Sequence, residues 1–197
     1  MARHRSNSVR LIGGTWRGRR LRFPAVSGLR PTADRRRETL FNWLAGDLAG
    51  ADCLDLFAGS GALGFEAASR GAARVVMVEA SREVVAALSA SREQLGCEAA
   101  RVVHAPAARY LDRSPERFDI VFLDPPFDRP DLGAEACRRL ERGWLAAGGL
   151  VYLEVPARRE RPGVPEHWQL ERETRGGDAR GLLYRVGDEP RSPPVDG

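Results

Sequence analysis

Asp55-Leu56-Phe57-Ala58-Gly59-Ser60-Gly61-Ala62-Leu63-Gly64 is a glycine-rich turn between an apolar run and a helix-like run. Glycines at such a turn allow a tight change of direction and let the backbone approach a ligand closely. Glu79 ends the next apolar run, about 20 residues after the glycines, where a carboxylate can accept hydrogen bonds from both hydroxyls of a ribose. The combination predicts a strand–turn–helix–strand unit that binds a nucleoside-like ligand.

Strand-like and helix-like runs alternate along most of the chain. We predict strands at Cys53–Phe57, Arg74–Val78, Arg101–His104, Phe118–Leu123 and Leu150–Val155. We predict helices at Ala62–Arg70, Arg82–Leu95, Ala107–Leu111 and Asp131–Arg142. Strands rich in Val, Leu and Ile that alternate with helices are typical of a parallel sheet covered on both faces. The final strands, His167–Glu173 and Leu182–Val186, have no helix between them, so they should pair as a hairpin and add one antiparallel strand.

The residues before this α/β ladder predict a different structure. Val9–Phe23 contains two short alternating segments around Gly13-Gly14, which is typical of a β-hairpin. A helix should follow with Asp34 as its N-cap and with an apolar stripe of Leu40, Phe41, Trp43, Leu44 and Leu48. We therefore divide the chain into a hairpin arm and linker at 1–30, an α/β domain at 31–187 and a Pro-rich, disordered tail at 188–197.

The positive charge is concentrated at one end of the chain. All 31 basic residues are arginine, and the chain as a whole carries a net charge of +4. Residues 1–40 hold 11 Arg against Asp34 and Glu38, whereas residues 41–197 hold 20 Arg against 25 acids. This asymmetry favours a nucleic-acid-binding arm, with a solvated charged face as the alternative. The candidate RNA contacts are Arg17, Arg19, Arg20, Arg22, Arg30 and Arg35.

Several classes of protein are disfavoured by the composition. With 43% apolar residues in 197, the chain is long enough for a core that needs no disulfide or metal. No apolar run approaches the roughly 18 residues of a membrane span, and the first residues lack the apolar region of a signal peptide. Cys53, Cys97 and Cys137 are far apart, so we expect no metal site and a reducing cytoplasm. We also expect a monomer.

The position of Asp55 distinguishes between possible ligands. A dinucleotide would place its pyrophosphate at the glycine turn, where the Asp55 carboxylate would repel it. The same carboxylate suits the ammonium group of an amino acid. S-adenosylmethionine has an amino-acid end, a ribose and an adenine but no phosphate, so it is favoured over a nicotinamide dinucleotide. Its expected binding residues are Asp55, Phe57, Gly59, Ser60, Gly61, Glu79 and Ala80.

Asp124-Pro125-Pro126-Phe127 follows another apolar strand and predicts a catalytic site for an amine. Ligands of open α/β sheets bind beyond the carboxyl ends of the strands, so this segment and the glycine turn should share one rim. The prolines lack N–H groups and an ionised Asp124 only accepts, so the segment is a rigid cluster of acceptors. It suits a base whose exocyclic amine donates to Asp124 and to the Pro125 carbonyl while Phe127 stacks on the ring. The alternative is an ordinary turn at a strand end.

These segments resemble a known family. Together with IGGTWRGRRL and GLRPTADRRRETLFNWL, the glycine turn and the Asp-Pro-Pro-Phe segment resemble the bacterial 16S ribosomal RNA guanine-N2 methyltransferases that modify guanine 966. The resemblance runs from about Val9 to Val186. It implies a Rossmann-like class I methyltransferase fold: a seven-stranded, mostly parallel sheet with one antiparallel strand, plus an N-terminal hairpin. It also implies S-adenosylmethionine as the donor and the RNA of the small ribosomal subunit as the partner.

Some positions are open or depart from this family. Pro106 stands where such proteins usually carry an Asp or Asn that meets the adenine amine, so no side-chain contact to the adenine is expected there. Arg30, Thr32, Arg35 and Arg37 suit RNA phosphate or the methionine carboxylate, and equally a solvated helix start. Trp16, among the hairpin arginines, suits either base stacking or packing against the domain.

The residues alone leave other functions open. An adenine-N6 or cytosine-N4 methyltransferase of DNA or RNA would use the same acceptor cluster. A non-catalytic RNA-binding assembly factor could retain the fold, although the presence of Asp55, Glu79 and Asp124 argues against it.

Overall fold

The computed structural model describes residues 6–25, 34–129 and 131–187. Its strands are β1 Ser6–Arg10, β2 Arg20–Pro24, β3 Asp52–Asp55, β4 Arg74–Glu79, β5 Ala100–His104, β6 Phe118–Leu123, β7 Leu145–Pro156, β8 Trp168–Gly176 and β9 Ala179–Val186. Its helices are α1 Asp34–Trp43, α2 Ala62–Ser69, α3 Arg82–Leu95, α4 Ala107–Leu111 and α5 Asp131–Leu140.

Strands β3 to β9 form one sheet in the order β5-β4-β3-β6-β7-β9-β8. The five strands from β3 to β7 are parallel, and β9 runs antiparallel to both of its neighbours, β7 and β8. This confirms the predicted class I methyltransferase fold with a single antiparallel strand. Strand β7 begins earlier than predicted, at Leu145, because its first residues pair with Phe118 across an irregularity in the register with β6.

The sheet separates two layers of buried side chains. One layer contains Phe41 of α1, Phe65 of α2, and Phe122 and Tyr152 of the sheet. The layer on the opposite side contains Tyr110, Trp144 and Trp168 among others. Both layers are buried because helices cover both faces, as the continuous apolar strands predict.

The N-terminal hairpin packs into the first of these layers. Strands β1 and β2 pair in a separate two-stranded sheet, and Val9, Leu11, Leu21 and Phe23 are buried against the domain. The loop between them is also held, because the Ile12 N–H donates to a carboxylate oxygen of Glu66 at 2.9 Å. The hairpin therefore shares its hydrophobic core with the domain and exposes only its polar face.

Arg37 of α1 is buried, although the sequence suggested a contact to an anion or a solvated helix start. It is spaced three, four and seven residues from Leu40, Phe41 and Leu44, and so lies on the apolar face of α1. Its guanidinium donates to Asp34 at 2.5 Å and to the Arg10 carbonyl at 2.9 Å. Arg37 therefore joins α1 to the hairpin. Asp34 itself is the first residue of α1, and Arg30 and Thr32 lie outside the described residues.

Among the described residues, no helix is both long enough and apolar enough to cross a membrane. The same residues contain no group of three or more His, Cys, Asp or Glu side chains arranged to hold a metal ion.

Candidate active site

One cavity of about 1440 Å³ opens at the carboxyl ends of the parallel strands. One part of it is lined by the glycine turn, Glu79 and Pro106, and we call this the donor half. The other part, which we call the base half, is lined by Asp124–Arg129, Glu154, residues of α1 and the tip of the β8–β9 hairpin. The predicted catalytic segment Asp124–Phe127 therefore shares one cavity with most of the predicted cofactor-binding residues. Those that line the cavity are Asp55, Phe57, Gly59, Ser60, Glu79 and Ala80.

The glycine turn connects β3 to α2 in a tightly packed conformation. Gly59 and Gly61 have φ angles of 49° and 77°, in the left-handed region that favours glycine. A Cβ atom at Gly64 would lie 2.6 Å from the Met77 side chain, so glycine is needed for α2 to pack on β4. Gly61 is buried as the N-cap of α2, and it supports the turn without lining the cavity.

Asp55 is buried at the end of β3, directly beneath the turn. Its Oδ2 accepts a hydrogen bond from the Gly64 N–H at 3.0 Å, whereas its buried Oδ1 has no hydrogen-bond partner. Burial raises the pKa of Asp55 to about 7, and the hydrogen bond from Gly64 opposes that increase. A buried acceptor without a partner at the cavity wall is suited to an ammonium group, and this fits the amino-acid end of S-adenosylmethionine.

Glu79 is the last residue of β4 and lines the donor half. Its two oxygens accept backbone N–H groups, from Gly59 at 3.0 Å and from Ser81 at 2.8 Å. Each carboxylate oxygen can accept a second hydrogen bond, so the side chain is held in place with acceptor capacity remaining. This orientation fits the ribose role predicted for Glu79, and Ala80 lies exposed beside it at the cavity wall.

Asp124-Pro125-Pro126-Phe127 follows β6 and lines the base half. Asp124 and Phe127 are half-buried, Pro125 is buried and Pro126 is exposed. The segment therefore presents a carboxylate and an aromatic ring on one wall of the cavity, as the sequence predicts.

A buried network at the base half was not predicted from the sequence. Glu154, only 3% exposed at the end of β7, accepts from Arg36 of α1 at 3.0 Å and from the Tyr152 hydroxyl at 3.1 Å. Arg36 also donates to the Gly176 carbonyl at the β8–β9 tip at 2.6 Å. Burial raises the pKa of Glu154, while Arg36 and the Tyr152 hydroxyl oppose this by stabilising its ionised form. The position of Glu154, near the carboxyl end of the apolar strand β7, is the signal that could have identified it.

Pro106 lines the donor half next to the buried Ala105. It is the exposed N-cap residue of α4, and no side-chain hydrogen bond caps that helix. The position that was predicted to lack an adenine side-chain contact therefore does lie in the cavity.

The predicted RNA-binding arginines occupy two places. Arg35 of α1 is exposed and lines the cavity. Arg17, Arg19, Arg20 and Arg22 are exposed on the hairpin. Arg19 contacts the Gln94 carbonyl near the end of α3, about 15 Å along that helix from Val84, which lines the cavity. Trp16 is half-buried and packs against the first core layer, which favours its packing role.

Comparison with known proteins places the chain in a family. The family described as conserved hypothetical protein 95 matches residues 9–185. Ribosomal RNA small subunit methyltransferase D of Escherichia coli K12 is 47% identical over 181 residues, which cover 91% of each chain. The enzyme of the same name from Haemophilus influenzae is 42% identical, covering 90% of this chain and 93% of that one.

A solved structure agrees with these sequence relatives. The protein yhhF from Escherichia coli is 43% identical and superposes with a TM-score of 0.86, covering 93% of this chain and all of that one. The glycine turn, the acceptor cluster and these similarities lead to one conclusion: the chain belongs to the family of ribosomal RNA small subunit methyltransferase D.

Proposed function

We propose that the protein transfers a methyl group from S-adenosylmethionine to the exocyclic N2 of a guanine in 16S ribosomal RNA, at guanine 966. One observation carries this proposal: a single cavity joins the unpartnered Asp55 Oδ1 beside the glycine turn to the acceptor cluster at Asp124–Phe127. The name shared by the relatives supports ribosomal RNA of the small subunit as the substrate.

In the donor half, the proposed contacts follow from the acceptors on its walls. Asp55 Oδ1 accepts from the ammonium group, and the Glu79 carboxylate accepts from the ribose hydroxyls. Phe57, Ser60 and Ala80 complete the walls around them. When bound, S-adenosylmethionine supplies a methyl group on a positively charged sulfur.

In the base half, Asp124 and the Pro125 carbonyl accept the two hydrogens of the guanine amine, and Phe127 stacks on the ring. These hydrogen bonds draw the nitrogen lone pair out of conjugation with the ring and direct it toward the donor half. Fixing the amine in this way supplies most of the catalysis, because an in-line transfer requires little beyond positioning. The bond from N2 to the methyl carbon would form as the sulfur–methyl bond breaks, with S-adenosylhomocysteine as the leaving group, and the amine proton that is hydrogen-bonded to Asp124 would be released to that carboxylate.

Access to the cavity restricts the state of the target base. A guanine paired within a helix cannot place its N2 amine beside Phe127, so the base must be unpaired or flipped out. We therefore propose that an assembled small subunit, or a late precursor of it, is a better substrate than short naked RNA. We also propose that the protein acts as a monomer, since one chain supplies both halves of the cavity, and in the cytoplasm, where ribosomal subunits are found.

Methyl transfer to small subunits from a strain that lacks this modification tests the reaction. The donor carries a labelled methyl group, and the RNA is digested and analysed by nucleoside mass spectrometry. N2-methylguanosine is expected, with more product from subunits than from naked RNA. N6-methyladenosine or N4-methylcytidine as the sole product would contradict the proposal.

The exposed face of the hairpin is proposed to bind ribosomal RNA at a distance from the target base. Its arginines would pair with phosphates. Replacing them with glutamine should make RNA binding less sensitive to salt: the slope of log binding constant against log salt concentration should fall in magnitude by about 0.7 for each single-strand phosphate that is no longer neutralised. The test variant changes Arg17, Arg19, Arg20 and Arg22. A control with the same change in charge replaces the exposed residues Arg113, Arg117, Arg138 and Arg142. Equal slopes for the two variants would remove the hairpin from the RNA interface.

A further inference from the structure

A second carboxylate lies beside Asp124 in the base half. Strands β6 and β7 are parallel neighbours, about 4.8 Å apart, and Phe122 is the register partner of Tyr152. Both of these side chains lie in the same core layer. Because side chains alternate along a strand, Glu154, two residues after Tyr152 in β7, projects toward that same face. Asp124 directly follows β6. Burial raises the pKa of the Tyr152 hydroxyl, and the charge of Asp124 is close enough to raise it further. Both residues line the cavity.

The Glu154 carboxylate is held in a fixed orientation. One oxygen accepts from Arg36 at 3.0 Å and the other accepts from the Tyr152 hydroxyl at 3.1 Å. Each oxygen has acceptor capacity for one more hydrogen bond. Burial raises the pKa of Glu154, and the ion pair with Arg36 at 3.0 Å opposes this increase by stabilising the ionised form, which cannot donate. The side chain therefore presents fixed acceptors to whatever occupies the base half.

The bases differ in the atom that lies next to their exocyclic amine. In guanine the N2 amine lies between N1–H, which is a donor, and N3, which is an acceptor, so the Watson–Crick edge presents the donor beside the amine. In adenine the N6 amine is adjacent to N1, and in cytosine the N4 amine is adjacent to N3; both of these nitrogens are acceptors. An ionised carboxylate next to Asp124 therefore complements guanine and opposes the acceptor of the other two bases.

We propose that Glu154 selects guanine by accepting a hydrogen bond from its N1–H while Asp124 holds the N2 amine. The inference rests on the proposed function, and it assigns base specificity, which the Asp-Pro-Pro-Phe segment alone does not provide. Arg36 and Tyr152 act as positioning residues that fix the Glu154 carboxylate.

The test compares Glu154→Gln with Tyr152→Phe in the full-length protein. Glutamine has nearly the same shape but also carries an N–H donor, which can bond to the adenine N1. Tyr152→Phe removes one hydrogen bond to Glu154 and keeps the carboxylate, so it controls for disturbance of the network. The substrates are unmodified small subunits that carry either guanine or adenine at the position where the wild-type enzyme places its methyl group.

The measured quantity is the ratio of initial rates on guanine and adenine subunits, with products identified by nucleoside mass spectrometry. For Glu154→Gln we expect this ratio to fall by about 10-fold to 100-fold, with N6-methyladenosine appearing. Tyr152→Phe should lower the rate but keep the preference for guanine. If Glu154→Gln does not fold, the Arg36→Gln/Glu154→Gln variant, in which both charges are removed, is expected to show the same fall.

Each outcome has a distinct meaning. An unchanged ratio in a folded Glu154 variant that still methylates guanine would overturn the role of Glu154 and leave the proposed function intact. An equal fall in both single variants would make Glu154 a structural residue only. If the wild-type enzyme produces no N2-methylguanosine on guanine subunits, the proposed function itself fails.

Discussion

The donor half of the cavity is built from short contiguous segments, whereas the base half is assembled from residues that are far apart in the chain. Asp55 and Gly64 are nine residues apart, and Glu79 binds Ser81 two residues later. In the base half, Arg36 reaches Glu154 across 118 residues and Gly176 across 140. The donor half therefore depends mainly on local backbone geometry, and the base half depends on how α1, β7 and the β8–β9 hairpin pack together.

The strongest test of this division is Asp124→Ala. Because Asp124 is proposed to hold only the base amine, its loss should lower kcat/KM by about 1000-fold while the dissociation constant of S-adenosylmethionine stays within about threefold. Initial rates on unmodified small subunits and calorimetric titration of the donor measure the two effects. Asp124→Asn, which keeps a carbonyl acceptor, should retain part of the activity. An Asp124→Ala enzyme with close to the wild-type rate would remove Asp124 from the mechanism.

Glu79→Ala should have the opposite effect to Asp124→Ala: it should weaken donor binding and leave the catalytic rate at saturating donor nearly unchanged. The substitution removes the proposed acceptor for the ribose hydroxyls and the anchors for the Gly59 and Ser81 N–H groups. We expect the donor to bind about 10-fold to 100-fold more weakly, corresponding to about 1–3 kcal/mol, with kcat at saturating donor little changed. Calorimetric titration measures the binding. An unchanged dissociation constant would show that Glu79 does not contact the donor.

The contrast between the halves also explains what the sequence could predict. The glycine turn and Asp124–Phe127 are contiguous and follow apolar strands, so residue types at known positions were sufficient to place both on one rim. Glu154 also lies near the carboxyl end of an apolar strand, so its place on the rim could be predicted in the same way. No neighbouring residue in the sequence indicates that Arg36 is its ion-pair partner. For Arg37, the sequence suggested a contact to an anionic ligand or a solvated helix start, whereas the helical spacing to Leu40, Phe41 and Leu44 places this arginine in the core.

The hairpin illustrates the same limit of local patterns. Its arginines predicted a basic arm, and they are indeed exposed. The alternating apolar residues between them, Val9, Leu11, Leu21 and Phe23, are buried in the core of the domain. The surface against which such a short hairpin packs is determined by the tertiary structure. The sequence therefore indicated that the arginine face is exposed, but not that the apolar face is buried against the domain.

Within the donor half, Asp55 predicts a dependence of binding on pH. Its pKa is raised to about 7 by burial, so below pH 7 the donor-free protein carries a proton there. Pairing with the ammonium group requires its release, so donor affinity should rise about fivefold from pH 6 to pH 7, about twofold more by pH 8, and then level off. Calorimetric titration across this range measures the effect, and Asp55→Asn should abolish it. The same slope in both proteins would mean that another group titrates.

The raised pKa of Asp55 has a consequence for stability with the opposite sign. In the range between the ordinary pKa of about 4 and the folded value of about 7, the folded protein binds more protons than the unfolded chain. The contribution of Asp55 to stability is therefore largest below about pH 4 and is lost as pH rises to about 7. Bound donor should offset part of this loss, because its ammonium group stabilises the ionised carboxylate.

The smallest expected effect concerns Pro106, which lines the donor half and has no side-chain hydrogen-bonding group to offer the adenine. Pro106→Asn places an amide at the wall of the cavity and at the N-cap of α4. Asparagine can accept from the adenine amine, which should tighten donor binding by about threefold to tenfold. It can also cap α4 and raise the stability of the donor-free protein by about 1 kcal/mol.

These two effects of Pro106→Asn are separated by measuring them independently. Thermal unfolding without donor reports the cap, and calorimetric titration reports the adenine contact. A third measurement uses a donor analogue whose adenine amine is replaced by hydrogen, because it leaves every other donor contact in place. Tighter binding of S-adenosylmethionine but not of the analogue would assign the gain to the adenine amine. An equal gain for both ligands would show that the cap orders the wall of the cavity, and no gain with an intact fold would mean that the adenine is held by other groups.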